Sequence, residues 1–349
     1  MKILHSDKHS LHAPAWYIAD GRVLPCPEVP ARADDLLHSL QSTNHQIILN
    51  PQIDPWPALR RTHSPDYLHY LQSIHKIWTA EFGNCDVLPD TFPRHRPATP
   101  PTKPSAQASY YCFDMAAPIT AGTWDAALAS ATLAVAAADA LLHGETSYAL
   151  CRPPGHHAGR DYCGGFCYLN NIAIAAEHLL LRGGGGGGGG GAMKRLAILD
   201  LDYHHGNGTQ DIFYARPDVL FLSLHADPNT QYPYFWGYPQ ETGDGPGAGF
   251  NINLPLPRGT SETDWLQTLD TALHKIADFH PDALLISVGA DISDSDPVGD
   301  FRLPLPAFSE IARRLRSLYL PTLFVQEGGY NVTTIGPCIS TLLQAFSTE

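Results

Sequence analysis

Positive charge is scarce in this 349-residue chain: 22 Lys and Arg stand against 35 Asp and Glu, a formal net charge of −13. Nucleic-acid partners are gripped by clustered cations that displace counterions, so this balance argues against them and mildly favours cationic ligands through long-range steering. The opening MKILHSDKHSLH lacks an apolar core of signal-peptide length, and the cytoplasm is therefore the expected location. No apolar run is long enough to span a bilayer; the longest, Leu128 to Leu142, is interrupted by Asp139 and reads as a buried helix, so no membrane partner is expected. Seven cysteines at positions 26, 85, 112, 151, 163, 167 and 338 form an odd set without zinc-finger spacing, which suits a reducing compartment. Cys163 and Cys167 lie close to a histidine pair but read as small packing residues.

Chemistry is concentrated instead in short motifs at the ends of apolar runs. Asp200 to Gly208, DLDYHHGNG, follows the run LAIL. In an extended chain residues two apart point to the same side, so Asp200, Asp202 and His204 share one face. Asp202 and His204 can grip one metal ion, with Asp200 behind them as a supporting partner. His156 and His157 follow SYALC, Asp291 closes ALLISVGAD, and Tyr330 follows TLFVQ in EGGY. Short apolar runs separated by helical stretches argue for an α/β fold, a mostly parallel sheet with helices on both faces. Sites in such sheets lie beyond the carboxyl ends of the strands, so the four clusters should converge on one crevice.

With 44% hydrophobic residues and no strong linker, residues 1–349 read as a single domain. A helix is expected over Ser64 to Trp78, with Pro65 suited to its first turn. Residues 83–110 are rich in proline and lack periodicity, the mark of a long lid, binding loop or disordered segment. Thr123 should cap a helix running to Leu142, with Gly144 ending it. Strand SYALC, helix Asn170 to Arg182 and strand LAILD follow in βαβ order. Then come strands VLFLSLH and FNINLPL, a helix from about Glu262 opened by Ser261 and Asp264, strand ALLISVGAD, a helix near Phe308 to Leu318, strand TLFVQ and a terminal helix. The nine glycines Gly183 to Gly191 join a helix to a strand, the reverse of a phosphate-binding loop, and read as a surface connector.

Two carboxylates and one imidazole neutralise a divalent ion and leave a position open for water, which is the pattern of a catalytic site. Asp202, His204 and Asp291 are the candidate ligands. A water there would have its pKa lowered to ~7, and it still needs a base. His156 or His157 can supply one, with Asp200 or Asn207 orienting each imidazole through its second nitrogen. Tyr330, after two glycines, offers a phenolic donor to a developing oxyanion. Together these groups spell hydrolysis of an acyl group.

RPPGHHAG, GGFCYLNN, LDLDYHHGNGTQ, SLHADP, GADISDSDP and EGGY, in this order along most of the chain, resemble the histone deacetylase superfamily, of the arginase/deacetylase fold. GTWDAALASA, YPYFWGYPQETGDGPGAGFNINLPL and the proline-rich loop are most similar to bacterial acetylpolyamine amidohydrolases. The resemblance implies a sheet of about eight strands and zinc on Asp202, His204 and Asp291. It implies His157 as general base and acid, His156 as an electrostatic partner held by Asp200, and Tyr330 polarising the carbonyl. Asn207 stands where some members carry aspartate, and a neutral partner should leave His157 less readily protonated. Gly165 and Phe166 resemble one wall of the substrate tunnel, with Phe235 or Tyr238 opposite. A structural potassium ion is implied at Asp200, Asp202, His204, Ser223 and Leu224, and a homodimer through the long loop. Tyr17 occupies the place of a glutamate that holds the distal amine in polyamine enzymes, leaving Asp20, Asp90 or Asp161 as other carboxylates for that task.

The implied substrate is a small acetylated amine such as an acetylpolyamine. Deacylation of acyl-lysine in proteins, a broad aryl or alkyl amidase, and a sensor that binds acetylated ligands without turnover are the alternatives. The ureohydrolases of the same fold expect DAHxD-type motifs, which DLDYHHGNG fits poorly.

Overall fold

The computed structural model describes residues 1–183 and 193–348. Strand β1 (Lys2–His5) leads to a hairpin of β2 (Trp16–Ala19) and β3 (Arg22–Pro25), then α1 (Ala31–Gln41), β4 (Gln46–Leu49), α2 (Trp56–Thr62), α3 (Pro65–Phe82) and α4 (Pro104–Tyr111). Next come α5 (Thr123–Leu142), β5 (Ser147–Ala149), α6 (Asn171–Gly183), β6 (Leu196–Asp200), α7 (Asn207–Phe213), β7 (Val219–Ala226) and β8 (Asn251–Leu256). The rest is α8 (Glu262–Phe279), β9 (Ala283–Val288), α9 (Leu305–Arg316), β10 (Thr322–Gln326) and α10 (Ile335–Ser347). Eight strands form one sheet in the order β4-β1-β5-β10-β9-β6-β7-β8, and every ladder in it is parallel.

The alternation of side chains along each strand builds two cores. Ala197 and Leu199 of β6, with Leu284 and Ile286 of β9, meet α1, α8, α9 and α10 on one face. Leu196 and Ile198, with Ala283 and Leu285, meet α5 and α6 on the other. Strands apolar on both faces are what a sheet covered on both sides requires. Helix α5 is long and apolar enough by composition to cross a membrane, with 61% of its most apolar window buried. Its apolarity has a packing cause: Leu133, Ala137 and Leu141 lie against the sheet, while Ala127, Ala131 and Val135 join the cluster of α3 and α4.

Local signals hold where their chemistry is complete. Ser64 accepts from Tyr67 N with Pro65 in the first turn of α3, and Ser261 accepts from Asp264 N at α8. Thr123 is instead the first helical residue of α5, behind Gly122, because its hydroxyl is engaged by Thr120 N at 2.7 Å. The proline-rich segment 83–110 is not loop throughout. Pro104 starts α4, whose Tyr111 ring stacks on Tyr70 of α3 at 4.5 Å, so burial against a neighbour supplies what eight residues of weak periodicity cannot. Of the glycine run, Gly183 closes α6 and the others lie outside the described residues.

Candidate active site

Strands β5, β10, β9 and β6 are neighbours in the sheet, so the four motifs at their carboxyl ends open onto one another. Asp202, His204 and Asp291 bring ligand atoms within 4.8 Å of one another. His204 Nδ1 stands 3.3 Å from Asp202 Oδ1 and 3.3 Å from Asp291 Oδ2. Backbone amides brace the carboxylates: Gly328 N donates to Asp202 Oδ2 at 2.7 Å, and Tyr203 N to Asp291 Oδ1 at 3.1 Å. Asp291 Oδ2 is buried and lacks a hydrogen-bond partner. Burial, and then the neighbouring charge of Asp202, push the Asp291 carboxyl up to about 7. A cation between the two carboxylates would remove that repulsion and satisfy the orphaned oxygen, so the donor set fits a divalent metal. Space is reserved for it: a Cβ at Gly328 would come within 2.4 Å of Asp291 Oδ2 and 2.6 Å of Asp202 Oδ2.

The two histidines beside this cluster differ in partner and in charge. His156 Nδ1 is 3.0 Å from Asp200 Oδ2. Burial opposes its charge, but Asp200 and Asp202 outweigh burial and hold its pKa up to about 10. His157 Nδ1 is 2.7 Å from Asn207 Oδ1. Its pKa is pushed well below the ordinary value by burial first, then by His156 and His204. The neutral partner Asn207 is thus not the main cause; its hydrogen bond works slightly in the opposite direction. Two adjacent imidazoles, ring centroids 4.0 Å apart, are therefore split into a cation and a neutral ring.

A cleft of about 470 Å³ leads from the surface to His157, His204 and Tyr330. Gly165 and Phe166 form one wall, both with positive φ, 53° and 65°. A Cβ at Gly165 would sit 2.3 Å from the His157 ring, which only glycine avoids. Tyr238 does not stand opposite: its hydroxyl donates to the Tyr234 carbonyl at 2.9 Å and it lies off the cleft. Tyr232 takes that place, its ring 5.1 Å from His157 and 5.9 Å from His204. Phe235 lines only the rim and is 80% exposed. Tyr17, from β2, lines the mouth with its ring 5.3 Å from Phe166. Asp20 is also at the mouth, whereas Asp161 pairs with Arg96 at 3.0 Å and Asp90 is near Ser109 Oγ at 3.3 Å. Of the residues named for potassium, Ser223 of β7 is the register partner of Asp200 of β6, while Asp202 and His204 follow the end of β6.

Among the supporting groups, Arg32 and Asp114 carry no sequence signal, while Asp296 and Glu327 lie inside the motifs GADISDSDP and EGGY, whose spacing does not show what they hold. Arg32 of α1 donates to the carbonyls of Glu327, at 2.7 Å, and Gly329, and its guanidinium lies 4.8 Å over the Tyr330 ring. Asp296 accepts from Tyr330 N at 2.6 Å. Glu327 accepts from Gly155 N at 2.6 Å and His156 N at 3.1 Å, tying the tyrosine turn to the histidine turn. Asp114 accepts from Gly165 N at 2.9 Å and Tyr232 OH at 2.7 Å, joining the two walls of the cleft. Cys163 and Cys167 are both buried; Cys163 lies against Cys112, Sγ to Sγ 3.2 Å, and Cys167 Sγ falls near His156 and Glu327.

Residues 26–346 match the histone deacetylase domain family. The chain is 45% identical to acetylpolyamine amidohydrolase 1 of Pseudomonas aeruginosa, covering 99% of each protein. It is 38% identical to the acetylpolyamine amidohydrolase of Mycoplana ramosa, again over 99% of each. Among solved structures, the acetylpolyamine aminohydrolase of Burkholderia pseudomallei superposes with a TM-score of 0.93 at 38% identity, covering 100% of this chain and 99% of that one. The HD domain of HDA15 superposes with a TM-score of 0.79 at 25% identity, covering 99% of this chain and 88% of that one.

Proposed function

The chain belongs to the histone deacetylase family, and from that premise we propose that it hydrolyses N-acetyl amides of small amines, acetylpolyamines among them, with zinc held by Asp202, His204 and Asp291. The observation that carries this reading is the buried, unpartnered Asp291 oxygen facing His204 and Asp202 at the foot of an aromatic cleft. When bound there, the metal polarises the amide carbonyl and lowers the pKa of a water.

The chain's own groups divide the remaining work. His157, neutral because it is buried beside two other imidazoles, accepts the water's proton and returns it to the departing amine. His156, held charged by Asp200, favours negative charge developing beside it. The Tyr330 phenol, which burial keeps protonated, donates to the carbonyl oxygen as it becomes an oxyanion. Gly165, Phe166 and Tyr232 enclose the linear chain of the substrate and exclude water. The same reading includes a structural potassium ion at Asp200, Asp202, His204, Ser223 and Leu224, one catalytic domain over residues 1–349, a homodimer through segment 83–110 and a cytoplasmic setting.

An aromatic rather than cationic amine is the second reading, favoured by Tyr17 at the mouth and by the ring-lined cleft. Of the carboxylates lining the cleft, Asp114 is engaged by two backbone amides and the Tyr232 hydroxyl, and Asp20 is 3.9 Å from Arg22. The zinc-loaded protein should be assayed with acetylputrescine, acetylcadaverine, acetylspermidine, an acetyl-lysine peptide and an acetylated aromatic amine. Turnover of the small aliphatic amides is expected; turnover of the aromatic amide alone selects the second reading, and binding without turnover of any would overturn both. Tyr17→Glu should raise the specificity constant for acetylspermidine over a neutral amide by about tenfold, the worth of a full charge in place of a cation–π contact.

A further inference from the structure

Asparagine at position 207 poses a problem of orientation that a carboxylate would not. Its Oδ1 faces His157 Nδ1 at 2.7 Å. Were the amide turned over, its NH2 group would face the ring, and the ring proton would move to Nε2. A histidine in that state has no lone pair on Nε2 with which to take a proton. The two ends of a carboxamide are nearly equal in shape, so packing alone does not choose between them.

The choice is made on the far side of the amide. Asn207 Nδ2 lies 3.5 Å from Tyr162 Oη, a long contact. Tyr162 in turn gives its single hydroxyl proton to Asp211 Oδ2 in a short hydrogen bond. Its oxygen then has only lone pairs to present to Asn207, and these accept from an NH2 group but have nothing to offer a carbonyl. Asn207 and Asp211 stand at i and i+4 on α7, on one face of the helix, and Tyr162 reaches across from the turn that follows His157. Tyr162 is itself fixed. Its carbonyl accepts from Gly159 N at 3.0 Å, its ring meets Phe113 edge-on at 5.5 Å, and a Cβ at Gly159 would come within 2.3 Å of the ring.

We propose that Tyr162 and Asp211 are positioning residues that orient the Asn207 carboxamide and thereby hold His157 in its Nδ1–H form, with the Nε2 lone pair directed to the reaction; this rests on the reading of His157 as the base. Hydrogen bonds run in one sense, from His157 to Asn207 to Tyr162 to Asp211. An aspartate at position 207 would accept through either oxygen and would need no such device.

Tyr162→Phe should lower kcat by about five- to tenfold with KM little changed, the consequence of losing one hydrogen bond that separates two orientations. In the Asn207→Asp background the same substitution should cost less than twofold. Nitrogen-15 spectra of the zinc-loaded protein, labelled in histidine, should show His157 as the Nδ1–H tautomer in the unaltered protein and as a mixture with Nε2–H in Tyr162→Phe. Equal losses of kcat in the two backgrounds, or an unchanged His157 tautomer in Tyr162→Phe, would overturn the proposal. A His157→Ala protein with full turnover would instead remove the base reading, which the tautomer spectra leave separate.

Discussion

Asp291 is the residue on which the site is most exposed to test. Its Oδ2 is buried without a partner, and its carboxyl is raised to about 7 by burial and by Asp202. Asp291→Ala leaves two protein ligands and relieves the repulsion between carboxylates, so the protein should lose stoichiometric zinc while keeping its fold. Elemental analysis and circular dichroism check both halves of that expectation; full zinc occupancy together with intact turnover would show that the ligand set is wrong. Tyr330→Phe should separate binding from chemistry, because it removes only a hydroxyl: zinc stays, and turnover drops by roughly a hundredfold or more, as for loss of an oxyanion donor.

At the scale of elements, the strand direction decides which connections can matter. Helix α6 ends at Gly183 and β6 begins at Leu196, so the glycine-rich connection enters β6 at its amino end, whereas Asp202 and His204 follow its carboxyl end. Shortening Gly183 to Gly191 to a few glycines should therefore leave kcat/KM within about twofold, and closure entropy should shift stability by about 1 kcal/mol or less. A folded, shortened protein with a large loss of activity would place that connection in function. By contrast the turns after β5, β6, β9 and β10 are tied to one another, since Glu327 joins the β10 turn to the β5 turn, Gly328 N holds Asp202 across to β6 and Tyr203 N holds Asp291 of the β9 turn.

Across the whole molecule, the histidines make stability fall in acid. Burial lowers His5, His12, His63 and His225 to about 4, and His157 and His205 well below their ordinary value. A folded pKa below the unfolded ~6.5 means that the unfolded chain binds the extra proton between those values, so stability is full above pH ~6.5 and falls as pH drops toward 4. In the metal-free protein Asp211, raised to about 6, and Asp291 and Glu327, raised to about 7, take up protons in the folded state over part of the same window and oppose the loss. Nine depressed histidines, His9, His45 and His178 with those six, outweigh the raised carboxyls of Asp86, Asp114, Asp200, Asp211, Asp291 and Glu327, and unfolding of the metal-free protein near pH 5.5 should bind about two protons or more. In the metal-free protein His156 and His204, raised to about 10 and about 9, act in the opposite sense: their contribution is present below pH ~6.5 and is lost as pH rises through about 9 to 10. Urea midpoints of the metal-free protein measured from pH 6.5 to pH 4.5 should fall steadily, and His63→Gln should flatten the slope by about one proton. A flat profile over that range would sink the argument.

The sequence by itself determined the layered fold and the residues at the strand ends, because both follow from short-range rules. Apolar runs such as LAIL and ALLIS require cover on both faces, and the period of two in DLDYH sets Asp200, Asp202 and His204 on one side. What only the tertiary structure decided are the contacts between distant segments that have no period to betray them. Arg32 reaches Gly329 across 297 positions and Asp114 reaches Tyr232 across 118, and no local pattern marks either residue as part of the site. The same limit explains the misplaced wall: Tyr232, Phe235 and Tyr238 lie within one irregular stretch, where neither helical nor strand periodicity says which ring turns inward. Asp114, from another part of the chain, holds the Tyr232 hydroxyl and so turns that ring to His157. Likewise Asn207 is legible as the partner of a histidine, but the sense of its amide depends on Tyr162 and Asp211, which meet it only once α7 packs against the turn after His157.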